Sequence, residues 1–313
     1  MSSDADLHHA PPSSATQTDR VSHGPHSPAQ EVASPPDPPM TLIRPQTGWQ
    51  AIGFQELWKY RELLYFLTWR DVKVRYKQTV LGAAWAVLQP ALMMLVFSIF
   101  FGRLAKVDTG GLPYPLFVFA GLLPWTFFAT AVSNAGNSVV GSERLITKVY
   151  FPRLIIPFAS VAAAVFDLLV AFSMLAVLML WYRVPATWGL LIAPGLLTLL
   201  LLTALGGGAL LAALNVAYRD FRYVIPFLVQ LWMFATPTIY MHIAAGAERS
   251  SIVSDWLLYA NPLTGLIAAF RASVLGTPVS LAALAWSAGA AVVMFAVGCL
   301  YFRRVEDSFA DII

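Results

Sequence analysis

Apolar residues in this chain fall into long unbroken runs, not the short alternations of a sheet protein. Six stretches, approximately 81–101, 115–139, 154–182, 188–216, 223–241 and 280–302, are each about as long as the roughly 20 helical residues that cross a bilayer core, or longer. The pattern predicts an all-α integral membrane protein with six transmembrane helices. Residues 53–68 follow another rhythm. Phe54, Leu57, Tyr60, Leu64 and Leu67 recur at helical spacing while Gln55, Glu56, Lys59 and Glu62 occupy a different face, which predicts an amphipathic helix too polar to span. Its aromatic residues Trp58, Tyr60, Tyr65, Phe66 and Trp69 suit the headgroup region, so an interface helix lying along the membrane surface is expected before the first span.

The segment 242–279 is longer than a simple connection and holds two short apolar stretches. Residues 254–259 allow one or two helical turns. Asn261 followed by Pro262 reads as an N-cap with proline at the first helical position, opening a helix through about Leu275. A helix of that length cannot cross the bilayer, so a pair of outward re-entrant half-helices is expected before the last span.

Composition agrees with a membrane solvent. Of the 313 residues 58% are hydrophobic and only 12% charged, against roughly 25% charged in soluble domains. The first 45 residues are unlike the rest: they hold nine of the 21 prolines, four of the five histidines and no Phe, Trp or Tyr. That stretch cannot bury a core and lacks the apolar run of a cleaved leader, so it reads as a disordered Pro/Ser-rich cytoplasmic tail. Residues 50–78 then form the interface helix and basic cluster, and 79–313 the six-span domain.

Charge placement gives the orientation. With the N-terminus in the cytoplasm, 15 of the 20 Lys and Arg residues fall in cytoplasmic segments, and only Arg103, Lys106, Arg183, Arg249 and Arg271 fall outside. This is the positive-inside bias, and an even span count returns the C-terminus to the same side. Asp167 is the clear charge within a span. With no embedded partner in the sequence it reads as a structural hydrogen-bonding group facing the bundle interior, not as a proton relay.

The chain has no GxxxxGK[ST], HExxH or GxSxG motif, and its single cysteine, Cys299, excludes an intramolecular disulfide. Gly206-Gly207-Gly208 lies within an apolar span and reads as a close-packing surface. Two polar clusters stand out. Arg70, Lys73, Arg75, Tyr76 and Lys77 directly precede the first span, and two compatible readings fit: an anchor for anionic lipid, or recognition of a phosphorylated lipid carrier by guanidinium forks and lysine charge. The turn GSERLITKVYFPR at 141–153 predicts a short helix capped by Ser142 and ended by Pro152, with charged Glu143, Arg144 and Lys148 around apolar Leu145, Tyr150 and Phe151. A charged rim about an aromatic centre is the usual make-up of a protein interface. Aromatic residues also punctuate the spans, and Trp85, Trp125, Phe128, Trp232 and Tyr240 are candidates to line a path on which flat ring faces meet a moving chain of sugars.

Five stretches, RDVKVRYKQTVLGAAWAVLQP (70–90), LITKVYFPRLIIP (145–157), LNVAYRDFRYVIPFLVQ (214–230), NPLTGLIAAFR (261–271) and YFRRVEDSFADII (301–313), resemble the permease subunit of ABC-type polysaccharide exporters, which move lipid-linked O-antigen, capsule, polyol phosphate or teichoic acid chains. The resemblance runs from about residue 50 to the C-terminus. It implies a homodimer of the permease working with two copies of a separate ATPase subunit, which would bind ATP and Mg and leave no cofactor in this chain. It also implies that the segment 145–153 docks on the ATPase, which makes Glu143, Arg144, Leu145, Lys148, Tyr150, Phe151 and Pro152 the candidate coupling residues, and that 70–77 flanks the cytoplasmic access for the pyrophosphate of an undecaprenyl-linked chain. Asn261 and Pro262 would belong to the outer gate. Polysaccharide and membrane lipid are the implied partners, with no nucleic acid. The alternative is an ABC exporter permease for a drug or simple lipid.

Overall fold

The computed structural model describes residues 54–77, 84–104, 109, 111–236, 261–306 and 309. The tail 1–45, the short helix expected at 254–259 and Tyr240 lie outside the described residues. Every regular element among the described residues is helical. In chain order these are α1 (Phe54–Lys59), α2 (Arg61–Lys77), α3 (Ala84–Phe97), α4 (Tyr114–Ser138), α5 (Glu143–Ile146), α6 (Ile155–Trp181), α7 (Ala193–Ala217), α8 (Phe221–Phe234), α9 (Pro262–Leu275) and α10 (Leu281–Val305).

Five helical stretches are long and apolar enough to cross a membrane: Val87–Leu104, where α3 continues into a π-helical turn, then α4, α6, Trp188–Ala217 and α10. Four of them match the apolar runs to within a few residues, because uninterrupted apolar helices satisfy their own backbone polar groups in lipid. The run at 223–241 contains α8, which has 14 residues, and residues 237–241 lie outside the described part.

α4 is the hub of the bundle. Phe117, Phe119, Leu122, Leu123 and Phe128 are fully buried along it, and it packs against α3, α6, α7, α8 and α9. Polar bonds reinforce this: the buried Asn215 of α7 donates from Nδ2 to the Gly136 carbonyl at 2.8 Å and to Asn137 Oδ1 at 3.2 Å. α3 and the π-helical turn after it, in contrast, present Trp85, Leu88, Leu92, Leu95, Val96, Ile99 and Phe100 outward.

The tightest contact joins α7 to α10. A Cβ on Gly298 would lie on the Gly206 carbonyl, and one on Gly206 would strike the Phe295 Cα and the Met294 carbonyl. Backbone therefore meets backbone, as small residues permit where lipid gives no hydrophobic drive to helix association. A Cβ on Gly208 would lie 2.6 Å from Ala135 Cβ, whereas one on Gly207 would meet nothing closer than Val132 at 3.6 Å.

α9 begins and ends as the sequence predicts. Asn261 Oδ1 accepts from the Leu263 N–H at 3.0 Å with Pro262 at the first helical position. Gly276, at φ 72°, closes the helix in the left-handed conformation that glycine adopts without strain. Arg271, which the charge count assigns outside the spans, is buried on this helix with its guanidinium 4.1 Å from the Phe117 ring centroid.

The glycine contacts separate two substitutions of identical chemistry. Alanine is favoured over glycine in a helix by about 1 kcal/mol, so Gly207→Ala leaves the thermal unfolding temperature in detergent unchanged or raised. Gly206→Ala lowers it by several degrees, because the new methyl pushes on main chain that cannot yield. Equal unfolding temperatures for the two variants would contradict the α7–α10 contact.

Candidate functional site

The interface helix is longer than its amphipathic pattern suggests, and it is broken. The helical path changes at Tyr60, and α2 then runs through the whole basic cluster to Lys77. Leu57, Tyr60, Leu64 and Leu67 turn inward, as their spacing predicts, while Trp58, Tyr65, Phe66 and Trp69 are exposed. α2 packs along α6: Ser160 Oγ donates to Asp71 Oδ2 at 3.3 Å, and further along Arg75 and Tyr76 reach Asp167. From Asp71 onward, beyond the stretch expected to lie along the surface, the helix follows a long apolar neighbour.

Asp167 is near the midpoint of α6, roughly 18 Å along the axis from Ile155 at 1.5 Å per residue. Its carboxylate accepts hydrogen bonds from Arg75 Nη1 and from the Tyr76 hydroxyl, and the Tyr76 ring lies 5.5 Å from that of Phe166. The expected hydrogen-bonding role is present, but the partner comes from α2 and not from another span. This divides the basic cluster. Arg70 bonds Asp71 at 2.9 Å, Arg75 and Tyr76 hold Asp167, Lys73 sits 5.5 Å from the Trp69 ring, and Lys73 and Lys77 are exposed.

Two cavities adjoin this region. One, of about 410 Å³, is lined by Arg70, Asp71, Val74, Arg75, Asn134 and Ser160. The other, of about 320 Å³, lies among α2, α3, α4 and α6, and its lining includes Arg75, Tyr76, Trp85, Gln89, Thr130 and Asp167. Arg75 and Asn134 border both. Thr126, Thr130 and Asn134 recur every fourth residue along α4, a polar stripe that helical spacing alone aligns and that a reading focused on charge passes over.

At the same end of the bundle the 143–153 turn is held from beneath. α5 is a single turn that ends at Ile146, without the expected side-chain cap from Ser142, so Pro152, six residues on, does not end it; Pro152 lies in the turn before α6, its carbonyl accepting from the Ile155 N–H at 3.0 Å. The reason is burial: Ile146, Phe151 and Leu154 drop into an apolar cluster with Leu67, Phe302 and Phe309, which draws the chain inward after Lys148. Glu143, Arg144, Lys148 and Tyr150 remain exposed, Tyr150 at 85%, while Leu145 and Pro152 are half-buried. Arg153 donates to the Glu306 carbonyl, and Arg303 donates to Glu56 Oε2 at 2.9 Å. The turn, α1 and the end of α10 therefore share one anchorage, a link between distant segments that periodicity does not encode.

Asn261 makes a second junction. Besides capping α9 it accepts from Trp232 Nε1 at 3.0 Å and donates to Thr236 Oγ1 at 2.7 Å and to the Ala235 carbonyl at 3.2 Å. It fastens the end of α8 to the start of α9, with Pro262 setting the first turn. Trp232 also meets Phe128 edge-on at 5.1 Å. The aromatic candidates consequently occupy different settings: Trp125 and Phe128 are inside the packed core, Trp232 is half-buried beside an apolar cavity, and Trp85 is about half exposed at the polar one. Among the described residues, no group of three or more His, Cys, Asp or Glu is placed to hold a metal ion.

The chain was compared with known proteins. Over 259 residues it is 30% identical to the O-antigen export system permease protein RfbA of Myxococcus xanthus, covering 82% of this chain and 97% of that protein. An RfbA of Klebsiella pneumoniae is 26% identical over 257 residues, 80% of this chain and 95% of its own length. The polysialic acid transport protein KpsM of Escherichia coli is 23% identical over 256 residues, 76% of this chain and 92% of its own. The model of the family described as ABC-2 type transporter matches residues 62–275, a span from the start of α2 to the end of α9, and the chain accordingly belongs to the ABC-2 type transporter family of multi-pass membrane proteins.

Proposed function

We propose that this chain is the membrane-spanning subunit of an ATP-driven exporter that carries a lipid-linked polysaccharide, of the O-antigen or capsule kind, across the inner membrane. The observation that carries this reading is the likeness, over about four-fifths of the chain, to permeases named for O-antigen export. The molecule suits the task. An apolar bundle bears, beside its polar clefts, Arg70 and Arg75, with Lys73 and Lys77 exposed on the same helix, a set of donors suited to the pyrophosphate of an undecaprenyl carrier.

In this reading six segments span, both termini are cytoplasmic, and α9 is a re-entrant half-helix at the outer face, where Asn261 and Pro262 hold the gate. A separate ATPase subunit binds ATP and Mg and docks on the exposed rim of Glu143, Arg144, Lys148 and Tyr150. The bundle behind that rim is rigid, since Ile146, Phe151 and Arg153 tie it to α10. A second copy of the chain covers the outward apolar residues of α3, and the polymer path runs along that junction past Trp85.

Deletion of the gene removes the polymer from the cell surface and leaves its lipid-linked form inside the cell, and both effects reverse on re-expression. Surface polymer that persists unchanged in the deletion strain overturns the proposal.

The docking surface has its own test. Reversing the charge of Arg144 and Lys148 together lowers the amount of ATPase that co-purifies with the permease by tenfold or more, while the permease remains inserted, because both side chains are exposed and neither contributes to the buried cluster. Unchanged co-purification would place the ATPase contact elsewhere.

A further inference from the structure

Two adjacent arginines close α10, and they differ in setting. Arg304 is exposed, as a cation expected at the cytoplasmic end of a span should be. Arg303 is turned inward, its side chain 6% exposed, and a positive-inside anchor has no need of that burial. A buried guanidinium is costly unless a matched partner meets it, so what meets Arg303 defines its role.

A close partner comes from the far end of the chain. Arg303 Nη2 donates to Glu56 Oε2 at 2.9 Å, while Glu306 Oε1, one helical turn on, stands 3.9 Å from Nε. Glu56 lies on α1 and its side chain is 53% exposed. The pair thus straddles the edge of the bundle, with the cation in the core and the carboxylate on a surface arm. Such a pair contributes little net stability, since burying the cation offsets the attraction. What it fixes is position. α2, which continues the arm, is held to α6 by the Ser160–Asp71 bond and by Arg75 and Tyr76 on Asp167; Glu56–Arg303 holds the other end to α10. Arg153, three residues past the exposed rim at 143–150, donates to the carbonyl of Glu306. The segment that carries the rim and the arm that carries α1 therefore meet at one end of α10, beside the buried Phe302–Phe309 pair.

We infer that Arg303 is a positioning residue for ATP-driven transport: through Glu56 it keys the α1–α2 arm to the last span, so that movement of an ATPase seated on the 143–150 rim reaches α10 from two sides at once. On the exporter reading, on which this assignment rests, two properties come apart. Seating of the ATPase is governed by the exposed side chains of the turn, and conversion of hydrolysis into transport by the buried Arg303.

The test uses the full chain with its ATPase. Each variant is expressed in the deletion strain, and surface polymer is measured relative to the amount of inserted permease. The complex purified from the same cells into lipid nanodiscs is assayed for bound ATPase and for ATP hydrolysis. Arg303→Gln and Glu56→Ala each lower surface polymer at least fivefold, while bound ATPase and hydrolysis stay within twofold of wild type. The double variant is no worse than the worse single one, because both changes remove the same contact. Arg304→Gln, the same loss of charge one residue on, alters none of the three readouts. Full export by both single variants overturns the assignment, as does a double variant whose loss is the product of the single losses, or an equal loss from Arg304→Gln. Bound ATPase that falls in step with polymer also overturns it, since Arg303 would then support docking alone. Glu56 is exposed, so Glu56→Ala decides the question even where Arg303→Gln inserts poorly. The export reading answers to the unaltered gene: its failure to restore polymer counts against export, whereas polymer retained by the variants counts against Arg303 alone.

Discussion

A carboxylate near the middle of an apolar helix has to be met inside the protein, and in this molecule the Arg75–Asp167–Tyr76 contact meets it. A lone charge between membrane helices is costly, and here both partners are half-buried and matched. The contact therefore does more than join two side chains. It holds the end of α2 along α6, and so brings a helix that begins with exposed aromatics to the edge of a polar cleft between α3, α4 and α6. Without it, Arg70 and Arg75 would belong to a surface anchor, with no wall of amides and hydroxyls beside them.

The opposite demand governs the remainder of the bundle. Where no charge is present, close approach is what holds membrane helices together, and Gly206, Gly208 and Gly298 bring α7 against α10 and α4 through main-chain and methyl contacts. This rigid half of the molecule reaches the proposed ATPase rim through one apolar cluster, in which Phe302 and Phe309 pack at 5.2 Å beneath the buried side of the 143–153 turn. Arg153 and Arg303 fasten the same region with bonds to Glu306 and Glu56. A push on the exposed rim is thus delivered to α10 and α1 together, a mechanical consequence of having the turn's apolar residues underneath and its charges outside.

Much of this architecture was legible in the chain itself. The length of the apolar runs determined that the fold is helical and membrane-embedded, because backbone hydrogen bonds must close within a segment in lipid, and four of the described spanning helices follow those runs closely. Asn261, Pro262 and Leu275 marked the ends of α9 because capping is a local interaction. The glycine triplet announced close packing because small residues let helix backbones approach, though only Gly206 and Gly208 of the three make such a contact. Tertiary structure alone decided that Asp167 takes its partners from a helix some ninety residues earlier, that Trp125 and Phe128 belong to the core while Trp85 borders a cavity, and that α5 stops at Ile146, well before Pro152. Each of these depends on which helix lies beside which, and residues distant in sequence leave no periodic trace of meeting. The stripe of Thr126, Thr130 and Asn134 lies between the two cases: its alignment on one helix face was written in the spacing, but only the packing of α2, α3 and α6 around it turned that face into the wall of a cavity.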